Sequence, residues 1–307
     1  MLLPPKDYAP LKPLALMGII WIIPSILFYL LSYTDTGKIF SSQLLSFIVI
    51  VFFVLLLSTI MAVFFKFEKN TLYDNGNLRR NLLVILTIVR LLVFQIENEG
   101  SFIGVLAGIV GTTTLILISC LVGSYLSQAI NRLSELIPVC SVAFTVDLYS
   151  VLNGPSKEIA LQIKDFYING AIGQVPYADI ILLKIANPSA EYLTPIFGVS
   201  DWIFVVFITS VMLKFEIPDS ILGKDIKDIV SSTSKQFYFP IVSFALLVSI
   251  FTAYILNIFI PALPVIIVII LPWLIVKNRN LLKLKATDCY LSLAPPLIAG
   301  MTLFLST

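Results

Sequence analysis

Apolar runs of about 20 residues recur from one end of this 307-residue chain to the other, and they limit the fold more than any motif does. A helix of that length crosses ~30 Å of hydrocarbon while keeping its backbone hydrogen bonds internal. Only 12% of residues are charged, against about 25% in an average soluble domain. With 58% hydrophobic residues and a mean hydropathy of +0.99, the chain reads as an all-α, polytopic transmembrane helix bundle.

Nine spans are predicted, at about 13–33, 43–65, 81–96, 101–123, 135–152, 195–213, 239–259, 261–277 and 289–306. Only Ile260 and Pro261 separate the seventh from the eighth, so these two read as one broken hairpin. The Lys and Arg residues set the orientation. Fifteen of the 20, Lys6, Lys12 and Lys235 among them, fall on the segments that an inside N-terminus puts in the cytoplasm. Lys38, Lys157, Lys164 and Lys184 fall outside, and Arg90 lies within a span. Positive residues mark the cytoplasmic side, so a multi-pass protein of the cell membrane is expected, with the N-terminus in and the C-terminus out. Lys6 and Lys12 precede a run long enough to span, which reads as a first anchor and not a cleaved signal.

Absences narrow the chemistry. Without a single histidine the chain has no Ser-His or Cys-His nucleophile pair and no HExxH zinc site. Hydrolysis of peptide bonds would fall to carboxylates, and neither metal nor organic cofactor is expected. Cys120, Cys140 and Cys289 are widely spaced and odd in number, so buried thiols are a better reading than disulfides. A net charge of +2 implies no nucleic-acid partner. Gly104, Gly108 and Gly111 recur along one helix beside Thr112, Thr113 and Thr114, a pattern that lets two helices approach closely. No convincing internal repeat is present, which weighs against a transporter built from inverted halves.

Two acids inside apolar runs stand out: Asp147 in LIPVCSVAFTVDLYSVL and Asp201 in TPIFGVSDWIFVVFITSVML. A carboxylate at membrane depth costs about 2.5–3.5 kcal/mol on insertion scales, which makes function the default hypothesis. Asp147 stands five residues before its predicted span ends, and Asp201 six residues after its span begins. The spans are consecutive and antiparallel, so both carboxylates are expected roughly 8–9 Å below the same outer face. Two such groups cannot both ionise cheaply; one keeps its proton while the other activates water. The alternative is structural, each acid bonding a neighbouring helix or pairing with Arg90.

The surroundings of these acids resemble the presenilin and signal-peptide-peptidase family of intramembrane aspartyl proteases, in an archaeal- or bacterial-like form. The segment from Val146 to Leu152, followed by Gly154-Pro155, is similar to the family's first aspartate helix. Gly198-Val199-Ser200-Asp201 resembles its Gly-x-Gly-Asp motif, with Ser200 in place of the second glycine. Pro261-Ala262-Leu263-Pro264 matches the motif that lies beside the catalytic pair in that family. Val146 stands where a tyrosine is usual, and Ala294-Pro295-Pro296-Leu297 is a looser second candidate for the proline motif. The family commonly has five spans before the first aspartate helix and ends after the proline-motif helix; here four precede it and one more follows.

The resemblance implies catalysis by Asp147 and Asp201, with Gly198, Ser200, Pro261, Ala262, Leu263 and Pro264 as substrate-binding or supporting residues. It covers the C-terminal half of the chain, and residues 1–130 match only as generic spans; the expected division is N-terminal transmembrane helices over 1–134 and catalytic helices over 135–307 with the outer loop 153–194. The implied function is an endopeptidase that cuts transmembrane segments of other membrane proteins within the bilayer. Tyr177–Ile185 in the outer loop is rich in β-formers; it reads as a water-exposed strand edge for an unwinding substrate, or as an interfacial helix or packed loop. Two other functions stay open: an ion- or proton-coupled transporter using the same aspartates, and a prepilin- or preflagellin-type peptidase.

Overall fold

The structure, a computed structural model, describes residues 11–34, 43–72, 75–97, 101–171, 175–231, 237–256 and 261–306. Lys6, Lys38, Lys235 and Ile260, which entered the orientation and hairpin readings, lie outside the described residues.

Helices dominate because the apolar runs leave no other way to satisfy their backbone away from water. In chain order they are α1 (Leu11–Ser32), α2 (Gln43–Phe67), α3 (Gly76–Ile96), α4 (Phe102–Ser127), α5 (Leu136–Asn153), α6 (Pro155–Ile168) and α7 (Val199–Lys214). After these come α8 (Ile226–Ser231), α9 (Ile241–Leu256), α10 (Ala262–Lys277) and α11 (Ala286–Ser306). Each of the nine predicted segments holds one of these helices. Four of them, within 12–32, 46–72, 102–127 and 133–152, are long and apolar enough to cross a membrane, and α9 and α10 are shorter apolar helices.

The chain is mostly helical, in keeping with the all-α reading, and carries two short hairpins besides: β1 (Leu182–Ala186) pairs antiparallel with β2 (Leu193–Gly198), and β3 (Ser220–Gly223) with β4 (Tyr238–Pro240). Two expectations need correction. The predicted sixth span therefore starts as strand, and its helix begins only at Val199. Residues Pro155–Ile168, within the loop expected over 153–194, form helix α6; Pro155 at its first position, where a backbone donor is dispensable, starts it.

The molecule is organised around α4. One flank of α4 packs against α7, another against α3, and α1 also touches it. At the α4–α7 seam Gly123 lets the backbones close in: a Cβ there would lie 2.7 Å from the Ile203 carbonyl oxygen. Ser127 and Ser210 share a 2.7 Å hydroxyl bond across the same seam, and Ser58 donates to Ser243 at 3.0 Å between α2 and α9. Small residues and hydroxyls at these crossings let the helix backbones approach closely and bond across the seam.

A second group of helices completes the bundle. α5 packs against α11 and α10, and α9 against α10, so α10 stands between the two aspartate helices and touches α7 as well. Pro296 cannot supply the N–H that would bond the Ser292 carbonyl one turn back, and Ser141 of α5 donates its hydroxyl to that oxygen at 2.5 Å. Cys120 and Cys140 are buried free thiols, and Cys289 is exposed.

Candidate functional site

Asp147 projects from the last two turns of α5 and is half-buried. Its Oδ2 accepts the Leu263 backbone N–H at 3.1 Å. The local sequence explains that contact. Pro261 caps α10 and Pro264 is its third residue, so neither supplies a backbone N–H. The first turn is left with few donors, and one of them meets a carboxylate at the positive end of the helix dipole. The Pro-Ala-Leu-Pro segment thus touches the first aspartate directly, across 116 residues of sequence. Pro264 is buried, while Pro261, Ala262 and Leu263 are half-buried.

Asp201 is the third residue of α7 and is buried. Its Oδ2 accepts the N–H of Gly198, the residue that caps the helix, at 3.1 Å. A carboxylate at the third helical position reaching back to the cap is half of a capping box. Gly198 keeps the approach open: a Cβ there would stand 3.3 Å from Ser200 Oγ and 3.6 Å from Asp201 Oδ2. Ser200 itself is exposed, and Trp202 is fully buried in the core next to it.

The helices that carry the two aspartates both touch α10. Their arrangement differs from the one predicted. Equal depth was counted from two helix ends, but residues 193–198 are strand, rising ~3.3 Å per residue where a helix rises ~1.5 Å. β2 leads directly into α7, which starts with Asp201 in its first turn. Nor do α5 and α7 form the intimate pair that consecutive antiparallel spans suggest; α10 links them, touching both.

Arg90 pairs with neither aspartate. Its Nη1 bonds Glu97 Oε2 at 2.8 Å and its Nε donates to the Ile180 carbonyl at 2.9 Å. Lys184 of β1 joins Glu97 and Asp179, and Tyr167 of α6 donates to Asp179 Oδ1 at 2.9 Å. Desolvation pushes the Asp179 carboxyl above the usual range, and Lys184 opposes this. Two glycines of the predicted small-residue pattern make room for the cluster. A Cβ at Gly111 would collide with Arg90 Nη1, and one at Gly108 would lie 3.2 Å from Glu97 Oε1. The sequence alone does not single out Glu97 or Asp179, and it presents Lys184 as a topology signal and as part of the Tyr177–Ile185 segment, not as a member of an ion cluster. The available clue was a lone lysine within an otherwise apolar strand, Leu182-Leu183-Lys184-Ile185-Ala186.

The strand expected over Tyr177–Ile185 is shorter and less accessible than predicted. Tyr177–Ile181 is a 3₁₀ turn, and β1 is buried from Leu183 to Ala186 against α4 and α1. β2 is the more open strand, half-buried from Thr194 to Ile196. Val146, in the position where the resembled family usually has a tyrosine, is 60% exposed and turned away from the protein. An apolar groove of about 590 Å³ runs between α5, α10 and α11, lined on α5 by residues from Ile137 to Thr145. Among the described residues no group of three or more His, Cys, Asp or Glu is placed to hold a metal ion.

Compared with protein-family models, with curated proteins and with solved structures, the chain matches none.

Proposed function

We propose that this protein is an intramembrane aspartyl endopeptidase of presenilin-like architecture that hydrolyses peptide bonds in transmembrane segments of other proteins. The observation that carries the reading is the Leu263 N–H bond to Asp147, made from α10, the helix that also touches the α7 helix of Asp201. The Pro-Ala-Leu-Pro segment and the first aspartate helix thereby meet across 116 residues of sequence. In this reading the nine helical segments cross the bilayer with the N-terminus in the cytoplasm, and both aspartates open toward the outer face.

The chemistry follows from two carboxylates sharing one proton. The ionised carboxylate takes a proton from water, and the resulting hydroxide attacks the scissile carbonyl carbon. The protonated partner donates to the carbonyl oxygen, forming a neutral gem-diol. Collapse of that intermediate breaks the C–N bond as the leaving nitrogen gains a proton from one acid of the pair and the other, ionised, takes the proton of a diol hydroxyl, leaving a carboxylic acid and an amine. The two acids titrate as a unit, so neither role belongs permanently to one of them.

Substrate has to be extended before its backbone reaches the pair. β2 leads directly into Asp201, and the edge it does not use for β1 suits pairing with an unwound stretch of substrate. The apolar groove beside Thr145 suits the part of the substrate that stays helical. The test is incubation of purified protein with helical membrane substrates, comparing wild type with Asp147→Ala and Asp201→Ala. Cleavage lost in both variants at unchanged expression is the expected result. Cleavage that persists in either variant, or proton or cation flux in reconstituted vesicles abolished by the same substitutions without any cleavage, would overturn the reading in favour of another enzyme or a transporter.

A further inference from the structure

Four charged side chains are buried together where the outer hairpin meets the helices: Arg90, Glu97, Asp179 and Lys184, with side-chain exposures of 5% and 1% in the Arg90–Glu97 pair and 1% and 0% in the Lys184–Asp179 pair. Their formal charges cancel. Arg90 comes from α3, Glu97 from the residue following it, Asp179 from the 3₁₀ turn and Lys184 from β1. Arg90 also bonds the backbone of the turn, through Nε to Ile180 O at 2.9 Å and through Nη2 to Asp179 O at 3.4 Å.

Such a cluster is poor value as a stabiliser, because desolvating charges costs about as much as their attraction returns. Its geometry offers a different rationale. Lys184 is two residues from Leu182, and Leu182 is the register partner of Gly198. Gly198 in turn gives its N–H to Asp201. The ladder also shifts register between Leu183 and Lys184, so the bulge sits at the anchored residue. A strand that slips by one residue turns every side chain to its other face. Here a slip would pull Lys184 from Glu97 and expose it to apolar surroundings, so the buried ions penalise every register but one.

We infer that Lys184 and Glu97 are positioning residues: they lock the β1–β2 hairpin in register with Asp201, and thereby select which peptide bond of a strand paired on β2 is presented to the aspartates. The inference rests on the protease reading given above. Neither residue touches the reacting atoms; both act through the hairpin.

The discriminating variant is Lys184→Met with Asp179→Asn. It removes one charge of each sign, leaves Arg90 paired with Glu97, and deletes the tie between β1 and Glu97. Lys184→Arg keeps the tie. Cleavage sites on a fixed helical substrate are mapped by mass spectrometry, and hydrogen exchange of residues 182–198 is followed in the same preparations. In the double variant the product termini are expected to shift by one or two residues, with the 182–186 amides exchanging about tenfold faster while α4 is unchanged. Lys184→Arg is expected to retain the wild-type sites. Wild-type product termini together with wild-type exchange in the double variant would overturn the inference. If the double variant does not fold, Glu97→Gln is read by the same two measurements with the same criteria. Failure of the protease reading is distinct from this: wild type would then cut nothing, whereas the exchange arm still reports whether the hairpin is anchored.

Discussion

Replacing Gly123 by alanine tests whether the α4–α7 seam holds Asp201 in place. The added Cβ would stand 2.7 Å from Ile203 O, 2.9 Å from Val206 Cβ and 3.0 Å from Phe207 N. Ordinary contacts for such an atom begin near 3.4 Å, so the helices must part by several tenths of an ångström. Two of the three neighbours are backbone atoms, and no rotamer change relieves them. Overpacking of this kind costs about 1–3 kcal/mol. Parting the helices also stretches the 2.7 Å Ser127–Ser210 bond, worth roughly 1 kcal/mol. The expected loss is therefore about 2–4 kcal/mol, seen as a fall in melting temperature on the order of 5 °C or more.

The thiols supply the assay. In a Cys289→Ser background only Cys120 and Cys140 remain, both buried, and a thiol-reactive fluorophore reports their exposure during heating. Cys120 lies on α4 one turn from Gly123, so it senses the seam itself. Gly76→Ala, where nothing lies within 4 Å of the new Cβ, is the control and should melt within about 0.5 kcal/mol of wild type. Because Ile203 follows Asp201 by two residues, cleavage should fall further than stability does, by up to ~100-fold for a displacement near 1 Å. A Gly123→Ala protein that melts and labels like Gly76→Ala would refute the close-seam argument.

Three further outcomes follow. Asp147→Asn keeps an acceptor for the Leu263 N–H, so melting should stay within about 1 kcal/mol of wild type while cleavage is abolished; an active Asn variant would remove Asp147 from the chemistry. Burial pushes the Asp219 carboxyl from 3.8 up to about 6, against bonds from Tyr238 and the Ile226 N–H that hold it down. Its folded value is the higher one, so its contribution is fully present below pH 3.8 and lost as pH rises through about 6. Wild type should accordingly lose up to about 3 kcal/mol relative to Asp219→Asn between pH 4 and 7, and parallel melting-versus-pH curves for the two proteins would contradict this. Ser141→Ala strands the Ser292 carbonyl that Pro296 leaves without a helical donor, and should cost about 1–3 kcal/mol in the thiol-exposure melt; no change there would mean another donor reaches that oxygen.

The sequence by itself determined the helical character and the approximate position of every long helix, since apolar runs of that length have one economical solution for their backbone. It also singled out Asp147 and Asp201, because an acid in such a run is costly enough to need a reason. The proline motif was legible as a pattern, but its contact with Asp147 was not, since that bond joins a side chain to a backbone N–H 116 residues away. Composition alone does not tell residues 195–198 from helix, since Pro195, Ile196 and Phe197 continue the apolar run and only pairing with β1 makes them strand. The salt-bridge cluster was equally invisible. Arg90, Glu97, Asp179 and Lys184 are separated by up to 94 positions, and nothing local tells a lysine that marks topology from one buried against a glutamate. Local composition fixes which segments must be helical; which side chains meet depends on how those helices close around α4, and that is decided by the glycines, prolines and buried charges at their crossings.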